Sequence, residues 1–437
     1  MKINGARLLD NLHNLREFTD TPGEGVTRFS YSPQEANARE YIIRRAEAAG
    51  CDIYVDALQN IHIGLKSNKP GRKTVVAGSH IDTVQNGGWL DGILGVTGAL
   101  EVMETLSENI SDPDSSKTND GDEINYNYQL IIFAEEEGSN FGSTMTGSKF
   151  LVGLYNEENL DKLADNNGRT LRQALEALDE IPDSANCGTP LYNRGPVDVS
   201  DVRIDLENIK SMFELHIEQG PVLEREGHRM GIVDCIFGMR VVEITLTGVG
   251  NHAGATPMVE RYDALCTAAE AILAAEAVVR DDEDKRTVVT MGHIECLPNQ
   301  SNVIPETVKF TMEVRDSDND KINSFMDKCI EAIEEVAAAR GVKCQVREHS
   351  KAAPIQLSER IIGEMVKRAD GQSLDYKVMN SGAVHDACML AYTVETGMIF
   401  TPSINGRSHV PEEDTNEEDL VLGAQFLMDT ILDELTN

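Results

Sequence analysis

The sequence predicts an α/β protein in two parts: a larger α/β domain formed by residues 1–236 and 353–437, and a smaller α+β domain inserted at 237–352. Three observations predict it. At 437 residues the chain exceeds the usual size of a single hydrophobic core. In the outer segments, short apolar runs alternate with helical periodicity, and three of these runs end in potential ligands. Between 237 and 352 the order becomes β-α-β-β-α-β, the split-βαβ pattern of a four-stranded, two-layer domain.

The elements follow in order. Leu8, Leu9, Leu12 and Leu15 have helical spacing, which Pro22 and Gly23 end. Ser32-Pro33 opens a second helix, with Ser as cap, Pro in the first position and Glu35 in the first turn. Strands are expected at 52–56, 61–65 and 74–77, the last delivering His80 and Asp82. The turn at Gly87-Gly88 and Asp91-Gly92 lead into a helix over 92–107. Residues 108–127 are polar and turn-rich and predict an exposed loop. A strand over 128–134 ends in Glu135-Glu136-Glu137-Gly138, residues 157–180 read as helical, and a strand over 211–216 ends at His216. In the insert, strands are expected at 241–247, 288–294, 308–314 and 342–347, with helices at 261–279 and 321–339. A helix at 358–370, a strand at 397–400 and a closing helix at 416–434 complete the chain.

Hydrophobic residues make up 41% and charged residues 26%, ordinary for a globular protein. Asp and Glu number 74 against 39 Lys and Arg, for a formal net charge of −35. Such a field opposes binding to nucleic acid or an anionic membrane, and an anionic substrate would need local Arg, His or metal. No apolar run approaches the roughly 20 residues that span a bilayer, and Met1–Asp10 has no signal-peptide core. The eight Cys are scattered without a Cys-x-x-Cys pair, which excludes zinc-ribbon and thioredoxin motifs and fits a reducing interior. A cytoplasmic location is expected.

Hydrolysis of a stable amide needs an activated water, a polarised carbonyl and a proton shuttle. Two neighbouring divalent metals supply the first two. The chain offers His80, Asp91, the Glu135–Glu137 run, His216 and His409 at strand ends or in adjoining loops. Open α/β sheets place their ligands beyond the carboxyl ends of strands.

The motifs are Gly78-Ser-His-Ile-Asp-Thr-Val84 with Asp91-Gly92, Glu136-Glu137-Gly138, Glu214-Leu-His-Ile-Glu-Gln-Gly220, His252-Ala-Gly-Ala-Thr-Pro-Met258, Asn302-Val-Ile-Pro305 with Arg315, Ser381-Gly-Ala-Val-His-Asp386 and Gly406-Arg-Ser-His409. In this order the sequence resembles the N-carbamoyl-L-amino-acid hydrolase, β-ureidopropionase and allantoate amidohydrolase family of the dinuclear metallopeptidase superfamily that includes aminoacylases and carboxypeptidase G. The resemblance implies a catalytic domain with a mixed sheet between helices, an inserted lid and dimerisation domain, a homodimer, and two divalent ions (Zn, Mn or Co) per subunit. It implies Asp91 as the bridge, His80 and His216 on one metal, and Glu137 and His409 on the other. Glu136 would be the general base, with Asp82 behind His80 accepting its second N–H. Gln219, Asn302 and Arg315 would bind substrate, Arg315 clamping its carboxylate, and His252 would stabilise the oxyanion. The substrate implied is an N-carbamoyl (ureido) amino acid. Allantoate or ureidopropionate is the alternative within the same chemistry, and an aminoacylase or dipeptidase activity is disfavoured by His216, where such relatives usually carry a carboxylate.

His13, His62, His228, His293 and His349 match no motif and read as surface or structural, and His385 as a wall of the site. The extra Glu135 leaves a one-residue ambiguity in the Glu run. Asn140 stands where the family commonly has Arg.

Overall fold

The computed structural model describes residues 1–110, 117–119, 121–280, 282 and 286–437. They form two compact units, Met1–Asp234 with Leu357–Asn437, and Cys235–Gln356. Within the polar stretch at 108–127, residues 111–116 and 120 lie outside the described residues.

The first unit is built on a mixed sheet whose strands run in the order Asp52–Val55, Ile61–Gly64, Asn127–Phe133, Thr74–His80, Ile209–Ile217, Glu395–Thr401, Gly231–Ile236. The four in the middle, from Asn127–Phe133 to Glu395–Thr401, are mutually parallel. They are buried along nearly their whole length, as parallel strands between helices must be. Parallel pairing brings their carboxyl ends to one edge. His80 lies level with Phe133, and Phe400 with His216. Everything needed for a site therefore leaves the sheet on one side.

The helices cover this sheet for reasons readable in their residues. Gly5–Arg16 buries Leu8, Leu12 and Leu15 completely. Pro33–Ala48 begins as expected for its cap, with the Ser32 side chain accepting the Glu35 N–H. Ile93–Asn109 is buried from Ile93 to Leu106, including Glu101 and Glu104. Those two carboxylates are tolerated because Arg7 and Arg45 reach them at 2.6 and 2.9 Å, pinning the first two helices to the third. Gly95 permits a close approach of helix to sheet. A Cβ there would stand 2.5 Å from the Leu215 carbonyl oxygen and 2.7 Å from the Ser79 Cβ.

The second unit is an antiparallel sheet in the order Ile294–Leu297, Thr307–Asp316, Gly238–Thr247, Lys343–Ala352. Val242, Ile244 and Leu246 alternate with Val308, Phe310, Met312 and Val314 into one buried face. The helices Ala264–Arg280 and Asn319–Ala339 complete that core, through Ala268, Ala271 and Ala275 on one and Met326, Cys329 and Ile333 on the other. A separate two-stranded ladder pairs Asn251–His252 with Val303–Ile304.

Two expectations need correction. The single strand expected at 288–294 is two, Val288–Thr290 and Ile294–Leu297, both paired with Thr307–Asp316. The edge breaks around Gly292, where the Thr311 N–H turns to the His293 carbonyl, so the edge is two strands and the sheet has five rather than four. The helix expected over 157–180 is three short pieces, Glu157–Lys162, Leu171–Glu176 and a 3-10 turn at Ala177–Glu180. Asp165 breaks it, its carboxylate capturing the N–H groups of Asn167 and Arg169 around Gly168, which has φ 82°.

Gly95→Ala should therefore lower stability by about 1–3 kcal/mol through overpacking, read as a reduced denaturation midpoint. An unchanged midpoint would show that the helix does not rest this closely on the sheet.

Candidate metal centre

Three loops and two strand ends converge beyond the carboxyl edge of the parallel strands. His80 Nε2 lies 3.5 Å and His216 Nε2 3.2 Å from Oδ1 of Asp91. His409 Nε2 lies 3.2 Å from the other oxygen, Oδ2, and 3.4 Å from Glu137 Oε1. The donors thus form two sets, His80–Asp91–His216 and Asp91–Glu137–His409, with Asp91 common to both. Glu136 stands beside the first, its Oε2 3.8 Å from His80 Nε2.

Local structure aims each group. The Nδ1 of His80 faces the Asp82 carbonyl at 3.0 Å, and that of His216 the Ile217 carbonyl at 2.9 Å. Each carbonyl holds a proton on Nδ1 and leaves the Nε2 lone pair free as a metal ligand on the Asp91 side. This corrects the part expected of Asp82. Its carboxylate is 3.6 Å from the imidazole and instead accepts the backbone N–H groups of Glu136 and Glu137, each at 3.1 Å. Asp82 positions the Glu-Glu pair, and only its main chain orients His80. Gly92, with φ 67°, could be no other residue, since a Cβ would sit 2.5 Å from the His80 ring.

The Glu run separates by hydrogen bonding. Glu135 points away from the donors, its carboxylate accepting from the N–H groups of Asn140 and Phe141 and from the Asn140 side chain. Asn140, in the position of the family's common Arg, also bonds the Ser30 carbonyl, so it serves the loop and not the donor sets. Glu135, Gln219 and His409 all have left-handed backbones, with φ of 54°, 60° and 59°. Such conformations cost of order 1–3 kcal/mol each and persist where the surroundings impose them.

The electrostatics fit a cationic centre. Burial opposes ionisation of Asp91, yet His216, His409 and His80 hold it well below the ordinary carboxylate range. The contact with Asp91 lifts His409 to about 9. Burial raises Glu136 well above its usual range, and burial with the neighbouring Asp91 raises Glu137 to about 7. Among the described residues, Glu136 Oε1, Glu137 Oε1 and Gln219 Oε1 are buried without a hydrogen-bond partner. Carboxylates crowded this way need positive charge, and imidazole and carboxylate donors without thiolate suit Zn²⁺, Mn²⁺ or Co²⁺. The residues present fit two such ions.

The remaining neighbours divide clearly. Gln219 donates to Asp91 Oδ2 at 2.7 Å. His385 packs edge-on against His216, with ring centroids 4.6 Å apart, and meets the Ser381 hydroxyl at 2.9 Å. Burial and His216 hold it well below the usual imidazole range, so it is a neutral wall. Glu214 also lies near His216, but its oxygens accept from Ser79 Oγ and the Ala387 N–H. Glu413 escaped the sequence reading. Buried at 1% exposure, it accepts the N–H groups of Leu90 and Asp91. The only sequence signal was its place four residues after His409.

His252, Asn302 and Arg315 belong to the second unit. His252 is exposed, and its Nδ1 accepts the N–H groups of Gly254 and Ala255, which leaves the proton of the neutral ring on Nε2. Asn302 adjoins it, its carbonyl accepting the Ala253 N–H. Arg315 Nε donates to Glu313 at 2.6 Å, near the far end of the strand that begins at Thr307.

Peptidase family M20/M25/M40 matches residues 76–433. An N-carbamoyl-L-amino-acid amidohydrolase from Paenarthrobacter aurescens is 33% identical over 98% of this chain and 97% of its own. An allantoate amidohydrolase of Escherichia coli is 32% identical over 94% of each. A crystal structure of an amidase of the hydantoinase/carbamoylase family from Burkholderia multivorans superposes with a TM-score of 0.84 at 30% identity, covering 100% of this chain and 99% of that one. The chain belongs to peptidase family M20/M25/M40 and is a hydrolase.

Proposed function

We propose that this hydrolase is a metal-dependent amidohydrolase that cleaves the linear C–N bond of N-carbamoyl-L-amino acids, releasing the amino acid, carbon dioxide and ammonia. The observation that carries this is the pair of donor sets sharing Asp91 with Glu136 beside them. The amidohydrolases that match nearly the whole chain support the substrate class. His80 and His216 would hold one divalent ion and Glu137 and His409 the other, with Asp91 offering one oxygen to each set. Two such ions supply an activated water and a polarised carbonyl.

Glu136, with its Oε2 3.8 Å from His80 Nε2, is placed to accept a proton at this site and hand it to the leaving nitrogen. Its burial, which raises its proton affinity, suits it to carry a proton at neutral pH. His252 donates its Nε2 proton to the developing oxyanion. Arg315 offers a planar fork to the substrate carboxylate, and Gln219 and Asn302 offer amides to its polar groups. Allantoate and ureidopropionate have the same ureido carbon and carboxylate and are the competing substrates.

A homodimer is part of this proposal, and the layout of the second unit supports it. Thr307 and Arg315 are eight residues apart on one strand, about 26 Å at the usual rise, and His252 and Asn302 lie beyond the Thr307 end. One small ureido acid is too short to span both ends of that strand, which favours His252 and Asn302 acting on the substrate of a second copy. Leu265, Leu273, Ile294 and Leu297 are exposed on this unit and supply apolar surface for that contact.

Three outcomes check this reading. With Zn²⁺, Mn²⁺ or Co²⁺ restored, the protein should release ammonia from N-carbamoyl-L-amino acids with a higher kcat/KM than from allantoate or ureidopropionate. Silence on all three rejects it. Glu136→Gln should keep both metals and lose about 10²–10⁴-fold in kcat, and near-normal turnover would place the base elsewhere. Metal uptake must displace protons from His409, held near 9, from Glu137, held near 7, and from His80 and His216, which the neighbouring carboxylates raise against the effect of burial. Affinity should therefore rise with pH up to at least about 9. A flat calorimetric profile from acid to that pH would contradict the ligand assignment.

A further inference from the structure

Glu413 follows His409 by four residues, in a segment outside any helix or strand, with its side chain fully enclosed. Its two oxygens serve two loops more than three hundred residues apart. Oε1 accepts the backbone N–H groups of Leu90 and Asp91 at 2.9 and 3.1 Å. Oε2 faces the Ser408 hydroxyl at 2.8 Å and the His409 N–H at 3.3 Å. The Ser408 hydroxyl also stands 3.0 Å from Asp91 Oδ2. The Gly-rich turn makes room for this carboxylate, because a Cβ on Gly88 would fall 1.9 Å from its carboxyl carbon.

We infer that Glu413 is a positioning residue that ties the Asp91 loop to the His409 loop and so sets how one carboxylate faces both donor sets. The inference rests on the proposed reading of Asp91 as a shared ligand. The two loops need such a tie. His80 and His216 sit on hydrogen-bonded strands, whereas Asp91 and His409 do not. His409 is 47% exposed and has a left-handed backbone that its own sequence does not favour. An ionised carboxylate can accept from both loops at once. A carboxamide cannot: with its oxygen toward Leu90 and Asp91, its NH₂ confronts the His409 N–H, donor against donor. Glu413→Gln therefore frees His409 while leaving Asp91 held.

The test is a titration of metal-free protein with Mn²⁺, followed by calorimetry and by the fluorescence of Trp89, the chain's one tryptophan and two residues from Asp91. Wild type should take up two ions. Glu413→Gln should bind the first as wild type does and the second about 10–100-fold more weakly, the loss typical of residues that orient metal ligands. Gly88→Ala, which displaces the same carboxylate without altering it, should weaken both. Folded Glu413→Gln, verified by its thermal unfolding, that binds both ions as tightly as wild type would overturn the inference. Equal weakening of both ions would also overturn it, since that marks general loosening and not positioning of His409. Wild type that takes up no Mn²⁺ would overturn the metal centre itself, which keeps the two failures apart.

Discussion

The enclosed carboxylate of Asp91 is the constraint on which the rest of the site depends. Burial of an unpaired carboxylate costs several kcal/mol, and three imidazoles offset that cost here. The chain adds a fourth contribution. Asp91 immediately precedes Gly92, the cap of the buried helix Ile93–Asn109, so its charge sits at the positive end of the helix dipole. The helix can occupy that position because Gly92 and Gly95 remove the Cβ atoms that would strike His80 and the Leu215 strand. Sheet, helix and carboxylate are thus coupled through two glycines.

Around this point the acidic side chains have a shared task that net charge alone does not suggest. Asp82 accepts the N–H groups of Glu136 and Glu137, Glu135 those of Asn140 and Phe141, and Glu413 those of Leu90 and Asp91. Glu218 takes those of Val222 and Leu223 in the same way. Each anchors a loop whose backbone donors would otherwise be buried without partners. Loops held this firmly can keep Glu135, Gln219 and His409 in left-handed conformations. Carboxylates, not strands, stitch the loops of the site together.

Much of this was legible in the residues. Runs such as Val75–Ala77 and Met212–Leu215 announce buried strands, and His80 and His216 follow from their positions at the ends. Parallel pairing then makes their convergence a matter of register. The split-βαβ order was equally plain, because Val242–Leu246 and Val308–Val314 alternate with period two. What failed was local. Asp165 drew its backbone into a turn inside an apparently helical stretch, and the edge strand broke at Gly292. Both are side-chain or backbone choices that periodicity does not record.

The inventory of donors and the strands that deliver His80 and His216 are written in local pattern, because apolar periodicity specifies strands and strand ends specify position. The division of labour among the acids is not. Glu135 and Glu136 are identical side chains on adjacent residues. They differ only because Asn140 and Phe141 turn back on the first while His80 faces the second. Asp82 and Glu413 likewise acquire their parts from N–H groups 54 and 322 residues away. A carboxylate takes its role from the donors that surround it, and those donors meet only when the chain has folded.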